Sequence, residues 1–148
     1  MGNDTHTLFV ANDIGIITQF QKEDSSLNYY PVRTFKGHTG WIMSISLSNS
    51  KMHLLSASYD QTLRVWDLEN GTQLACLNKE RKEHAGYHKN ILKCCWNGED
   101  TLFASGNFNG VVVLWTPPLS IYNTSNKFIA ICKFKVKGKN DNISCLKF

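Results

Sequence analysis

The sequence predicts an all-β protein made of antiparallel four-stranded units, and three observations lead there. Short apolar runs of strand length alternate with Gly, Asn, Asp and Ser turns, and no stretch sustains a helical period. An apolar triad recurs with one spacing: Ile42, Ile45 and Leu47; Ile91, Cys94 and Trp96; Ile143, Leu146 and Phe148. Each triad starts five residues after a glycine, at Gly37, Gly86 and Gly138, and these glycines lie 49 and 52 residues apart. The chain therefore repeats.

Residues 7–20, TLFVANDIGIITQF, read as two strands around a turn supplied by Asn12, Asp13 and Gly15. Residues 21–28 are a polar loop, and 29–35 a third strand, whose Pro31 suits an outer edge because proline donates nothing to a ladder. Residues 37–67, GHTGWIMSISLSNSKMHLLSASYDQTLRVWD, hold strands at 42–47, 54–58 and 63–66, with Asp60 opening the tight turn before the last. After Glu69-Asn70-Gly71, whose Asn-Gly pair favours a hairpin, comes a strand at 72–78. Residues 79–90, KERKEHAGYHKN, form a charged loop.

The next unit repeats the layout with strands at 91–96, 101–105 and 111–115, the last stopped by Thr116-Pro117-Pro118. After a loop at 119–126, residues 128–136 alternate as a strand. Phe128, Ala130, Cys132, Phe134 and Val136 are expected on one face. Lys133, Lys135, Lys137 and Lys139 make a lysine stripe of the kind that protects an edge strand from aggregation. The final triad, at 142–148, supplies a twelfth strand.

The stretch 37–67 opens with Gly-His, carries a turn Asp and closes with Trp-Asp. Together these resemble a WD repeat, the unit of the WD-repeat β-propeller family. The resemblance implies antiparallel four-stranded blades and one partial propeller domain over 1–148, an incomplete ring of about three blades. Blade 1 would span about 7–36, with 142–148 as its closing strand; blade 2 about 40–78; blade 3 about 90–136. It further implies a structural hydrogen-bonded network of His38, Ser58, Asp60 and Trp66, with Ser56 as the alternative serine. Trp115 aligns with Trp66, and Phe20 takes that aromatic position in the first blade. Blade 3 departs from the pattern: Tyr87 stands at the His position with His88 one later, and Asn107, Asn109 and Thr116 replace Ser, Asp and Asp. Its network is expected to be incomplete, as is that of the last unit, where Lys139 replaces His.

Composition narrows the function. There are 16 Lys and Arg against 12 Asp and Glu, a formal charge of +4, which permits acidic partners without requiring nucleic acid. The five cysteines are odd in number and form no Cys-x-x-Cys, so buried reduced thiols are expected rather than a disulfide framework or zinc site. His84 and His88 stand four apart in a loop without a cysteine at ligand spacing, so no metal or cofactor is expected. No apolar run reaches membrane-helix length and no signal peptide is evident, which points to an intracellular, cytoplasmic rather than nuclear, protein without a membrane contact. His38, the serines and Asp60 have the composition of a hydrolytic triad, but no motif offers an exposed nucleophile and an oxyanion hole, so no catalytic residue is assigned.

The expected function is a non-enzymatic protein–protein interaction scaffold, a subunit or adaptor of a larger complex. Candidate partner-binding loop residues are Thr39, Trp41, Tyr59, Arg81, Lys82, His84, His88 and Phe108. The second reading, a nucleic-acid or ribonucleoprotein component, would use Lys79, Arg81, Lys82, Lys89 and the lysine stripe. Stacking aromatics interleaved with those charges are missing. Three blades fall short of the roughly 4–8 that close a propeller. Either the chain is part of a longer propeller, or two copies make a homodimer in which 142–148 of one completes the first blade of the other.

Overall fold

The computed structural model describes residues 6–23, 26–77, 90–118, 127–136 and 142–148. Among these, strands β1 (Thr7–Ala11), β2 (Ile16–Lys22) and β3 (Tyr29–Lys36) form a first antiparallel sheet in that order. A second sheet runs β4 (Ile42–Leu47), β5 (His53–Ser58), β6 (Leu63–Asp67), β7 (Gln73–Leu77). The third runs β8 (Ile91–Trp96), β9 (Phe103–Asn107), β10 (Val111–Thr116), β11 (Ile129–Lys135). The chain is all-β, and the second and third sheets are complete four-stranded units of the expected kind.

The alternation of side chains along each strand gives every sheet two faces, and the sheets stack through them. Phe9, Ala11, Ile17 and Phe35 of the first sheet pack with Ile42, Ile45, Leu54 and Trp66 of the second, and Phe35 meets the Trp66 ring edge-on at 5.8 Å. The opposite face of the second sheet, Leu55, Ala57, Leu63, Val65 and Leu77, joins Ile91, Cys94, Trp96, Phe103 and Trp115 of the third in one buried cluster. Burial of this many large apolar side chains, at about 25 cal/mol per Å² of surface, is the main force joining the sheets.

Polar joints set the order of stacking. The Ile42 amide donates to Asn12 O at 3.2 Å across the first joint. At the second, Cys94 N and Trp96 N donate to Ser44 Oγ (3.3 Å) and Ser46 Oγ (3.1 Å). The Asp100 carboxylate accepts the amides of Asn49 and Ser50, both at 2.7 Å. Gly15 lies in the first joint with φ of 84°, and a Cβ there would sit 2.5 Å from His38 O.

The same irregularity recurs in all three sheets. The register shifts between Gln19 and Phe20, between Val65 and Trp66, and between Leu114 and Trp115. A bulge therefore marks the aromatic position every time, and Phe20 occupies it in the first sheet.

Three expectations are corrected. The strand placed at 101–105 is Phe103–Asn107. The preceding turn is longer because Asn97 Oδ1 accepts the Leu102 amide, its Nδ2 donates to Thr101 Oγ1, and Asp100 takes a φ of 56°. The single apolar face at 128–136 is split: Ala130 lies opposite Trp115 but Cys132 opposite Leu114, so the bulge inserts Ile131 and swaps the faces beyond it. Phe128 and Ala130 pack inward, while Cys132, Phe134 and Val136 are exposed. Residues 142–148 form no strand, and within one chain they do not close the first sheet. Ile143 instead seats on the third sheet, its amide 3.4 Å from Asn107 O and its side chain against Gly106.

Candidate functional site

The loop from Gly37 to Trp41 and the turn between β5 and β6 meet at one end of the second sheet. His38 has a fully buried side chain, and its Nδ1 is 2.8 Å from Asp60 Oδ2. That oxygen also accepts the Thr39 amide at 3.0 Å. Asp60 Oδ1 accepts the Thr62 amide (2.8 Å) and hydroxyl (2.7 Å). On the other side of the ring, His38 Nε2 lies 2.7 Å from Ser56 Oγ, and Trp66 Nε1 donates to that same oxygen at 2.8 Å. One tautomer satisfies the chain: the indole N–H donates to Ser56, the Ser56 hydroxyl to Nε2, and the Nδ1–H to Asp60.

Burial pushes the Asp60 carboxyl upward in pKa, but hydrogen bonds from His38, Thr62 and Thr39 overcome this and hold it well below the usual carboxylate range. Burial likewise raises the Cys94 thiol to about 12, so that sulfur is an inert part of the core. All five cysteines are free thiols.

The serine between His38 and Trp66 is therefore Ser56, not Ser58. The reason is reach: Trp66 lies opposite Leu54, and its indole extends diagonally to the next residue on that face, Ser56. Ser58 sits at the strand end, where its hydroxyl donates to Gly40 O at 3.1 Å and accepts the Asp60 amide at 3.1 Å.

The third sheet keeps half of the arrangement, with Trp115 Nε1 donating to Ser105 Oγ at 2.7 Å. Asn107, at the Ser58 position, accepts the amides of Asn109 (2.9 Å) and Val111 (3.0 Å) on Oδ1. Sequence reasoning missed Ser105, though the signal was present: Ser56 and Ser105 each precede a tryptophan by ten residues. It also missed Asp67, whose buried carboxylate accepts the Glu69 and Asn70 amides and Asn70 Nδ2, fixing the turn that leads to β7. In the first sheet the residue ten before Phe20 is Val10, so donor and acceptor are both absent.

Above this network the surface is aromatic. Trp41 and Tyr59 are 58% and 45% exposed, their rings 5.7 Å apart, and the Tyr59 amide donates to Trp41 O at 2.8 Å. Phe108 repeats the Tyr59 position in the third sheet, is exposed, and donates its amide to Asn90 O. Thr39 is exposed beside Trp41, whereas Arg81, Lys82, His84 and His88 lie outside the described residues. So do Lys79, Lys89, Lys137 and Lys139; Lys133 and Lys135 are exposed on β11. Among the described residues no group of three His, Cys, Asp or Glu side chains could hold a metal ion, and no helix is long and apolar enough to cross a membrane.

Four-stranded antiparallel sheets stacked in series, with a Trp–Ser–His–Asp network tying a loop to the second of them, define a repeat protein of blade-like units. The family of the WD domain, G-beta repeat, matches residues 29–67 and 78–116, more than half of the sequence, and the chain belongs to that family. Denticleless protein homolog B of Xenopus laevis is 28% identical over 111 residues, covering 75% of this chain and 15% of that protein. The WD40 repeat-containing protein HOS15 of Arabidopsis thaliana is 28% identical, over 79% of this chain and 21% of its own length. Mitochondrial division protein 1 of Vanderwaltozyma polyspora is 34% identical over 119 residues, 70% of this chain and 17% of its own. The chain thus spans between 15% and 21% of the length of these relatives.

Proposed function

We infer that this WD-repeat chain is a non-enzymatic protein–protein interaction scaffold, acting as a subunit or adaptor of a larger complex. The observation that carries this reading is the exposed Trp41–Tyr59 ring pair, held by a backbone hydrogen bond directly beside the His38–Asp60 network. Large aromatics on a surface already ordered lose little freedom on binding, so they favour a protein partner. The non-enzymatic part is supported by the state of Ser56: it is fully buried, and its one oxygen is already engaged by His38 and Trp66. An attacking serine needs an open oxygen and oxyanion donors beside it.

In this reading residues 1–148 are one partial propeller domain, with blades at about 7–36, 40–78 and 90–136. The small share of each relative that the chain covers supports membership of a longer ring. The five free thiols favour a reducing, intracellular compartment. Binding is tested by affinity capture with the wild-type chain, a Trp41→Ala/Tyr59→Ala variant and an Asp13→Ala control, read by quantitative mass spectrometry. At least one protein held by wild type and control is expected to be lost by the double variant, with an unchanged circular dichroism spectrum. Identical captured sets would overturn the assignment of this face.

A further inference from the structure

Three asparagines in the chain precede a glycine: Asn70, Asn97 and Asn109. Such pairs carry latent chemistry. Glycine has no Cβ, so its main-chain nitrogen can close on the side-chain carbonyl carbon of the residue before it. The structure holds two of the three side chains. Asn70 Nδ2 donates to the buried Asp67 carboxylate at 2.8 Å, and the Gly71 amide donates to Asp67 O at 3.0 Å. Asn97 is engaged at both ends, its Nδ2 donating to Thr101 Oγ1 at 2.8 Å and its Oδ1 accepting the Leu102 amide at 3.0 Å. Asn109 differs. Its turn is held by Asn107, whose Oδ1 accepts the amides of Asn109 and Val111, and among the described residues no hydrogen bond engages the Asn109 side chain. The Gly110 amide reaches Asn107 O at 3.3 Å, a longer bond than that of Gly71.

The repeat explains why this one position is open. Counted back from Trp115, Trp66 and Phe20, Asn109 stands where the second sheet has Asp60 and the first has Ile14. Each comes just before a residue of positive φ: Gly110 (72°), Gln61 (70°) and Gly15 (84°). Asp60 is drawn inward by His38 and Thr62. Ile14 is 68% exposed, although the second sheet packs beside its turn through the Ile42–Asn12 hydrogen bond. The position therefore faces solvent unless its own side chain is bonded, and Asn109 is only partly buried.

We propose that Asn109 is a self-modification site, converting without an enzyme to aspartate and isoaspartate while Asn70 and Asn97 are preserved. The Gly110 nitrogen gives its proton to hydroxide and bonds to Asn109 Cγ. The Cγ–Nδ2 bond then breaks, Nδ2 leaving as ammonia with a proton from water. The ring so formed takes up one water. Cleavage between Gly110 N and Cγ gives aspartate, and cleavage at the main-chain carbonyl gives isoaspartate. Either way an amide is exchanged for a carboxylate, and no oxidant or cofactor is needed. Aspartate returns to the third sheet the acid that the second carries at Asp60, while Asn107 keeps the turn amides satisfied. Isoaspartate adds a carbon to the main chain and displaces the Gly110 carbonyl, which accepts the Val136 amide at 3.0 Å beside the β10–β11 pair.

The full chain is kept folded in mildly alkaline buffer made with ¹⁸O water, and tandem mass spectrometry places each converted residue. The label separates conversion during the incubation from conversion before it. Asn109 is expected to convert roughly tenfold or more faster than Asn70 and Asn97, because a side-chain hydrogen bond must break first at those two. In guanidinium chloride the three rates should converge to within about threefold, since the fold alone distinguishes them. Enzymatic methylation of isoaspartate in the folded chain should be lost in Asn109→Gln. Conversion of Asn70 or Asn97 at the rate of Asn109, silence of all three in the folded chain, a gap that persists in guanidinium, or isoaspartate that survives in Asn109→Gln would each overturn the proposal.

Discussion

Trp66 and Ser56 are ten residues apart in sequence and 2.8 Å apart in space, joined by a hydrogen bond that runs diagonally across the β5–β6 pair. Trp115 and Ser105 repeat the relationship at 2.7 Å. Both serines are fully buried, so the indole N–H has no water to turn to. Removing Ser56 alone leaves both the indole N–H and His38 Nε2 unsatisfied, while removing Ser56 and Trp66 together leaves only His38 Nε2. A double-mutant cycle of Ser56→Ala and Trp66→Phe is expected to be non-additive. The double variant should cost about 1–2 kcal/mol less than the sum of the singles. Urea unfolding of the four proteins measures this, and simple additivity would refute it.

Asp60 serves three neighbours at once, so its loss should be felt. Asp60→Ala is expected to destabilise the chain by roughly 1–3 kcal/mol, through the uncompensated Thr62, Thr39 and His38 donors. Asp13, exposed in the turn after β1, is the comparison, and Asp13→Ala should stay within about 0.5 kcal/mol of wild type. Equal unfolding midpoints for the two variants would contradict the assigned network.

The depressed pKa of Asp60 gives stability a pH dependence of definite sign. The folded state binds the proton less readily than the unfolded chain does. The contribution of Asp60 is therefore complete above the ordinary carboxylate pKa of about 4 and is lost progressively as the pH falls below it. Asp67 and Asp100 are displaced in the same direction: burial raises each, and hydrogen bonds, to Asn70 and Glu69 or to Ser50 and Asn49, reverse it. Between about pH 5 and pH 3 the denaturation midpoint of wild type should fall, and that of Asp60→Asn should fall less. Parallel curves would show that Asp60 carries none of the effect.

Two glycines separate backbone need from mere presence. Gly15 has a positive φ, and an added Cβ would strike the His38 carbonyl. That contact is backbone against backbone and cannot swing aside. Gly15→Ala should cost more than the about 1–2 kcal/mol of a left-handed non-glycine residue alone. Gly98 has nothing within 4 Å of its virtual Cβ, so Gly98→Ala should be nearly neutral. Thermal unfolding of both variants tests the contrast, and a neutral Gly15→Ala would mean that the first joint is not as tight as drawn.

The sheets were legible because their turns are chemically explicit. Asn12 with Gly15, Asp60, Asn70-Gly71 and Asn109-Gly110 mark where strands must reverse. Strand ends were less legible. Asn97 captures Leu102 and Thr101 through its side chain, an interaction that no propensity at 101–105 reveals. The bulge at Trp115 breaks the alternation of 128–136, and a pattern of period two carries no sign of where it will slip. Within the network, His38, Asp60 and Trp66 could be named from type and position. The choice between Ser56 and Ser58 needed the cross-strand register, because both face the same side of β5 and only one lies under the indole.

Phe20 and Val10 occupy in the first sheet the places of tryptophan and serine in the other two, down to the bulge. The chain thus contains two self-consistent settings of one pair, polar with polar and apolar with apolar. In the second sheet a single replacement leads to a mismatched intermediate, an indole without an acceptor or a fully buried Ser56 hydroxyl beside a ring with no N–H to offer, whereas Val10 in the first sheet is half-exposed. The two positions are therefore energetically coupled in the second sheet, and exchange there one residue at a time must cross a shallow stability valley. Grafting the apolar pair into the second sheet in one step avoids that valley, but it also strands His38, whose ring depends on the Ser56 hydroxyl. The network's reach beyond the pair is what ties the second sheet to its serine, while the first sheet is at liberty to do without.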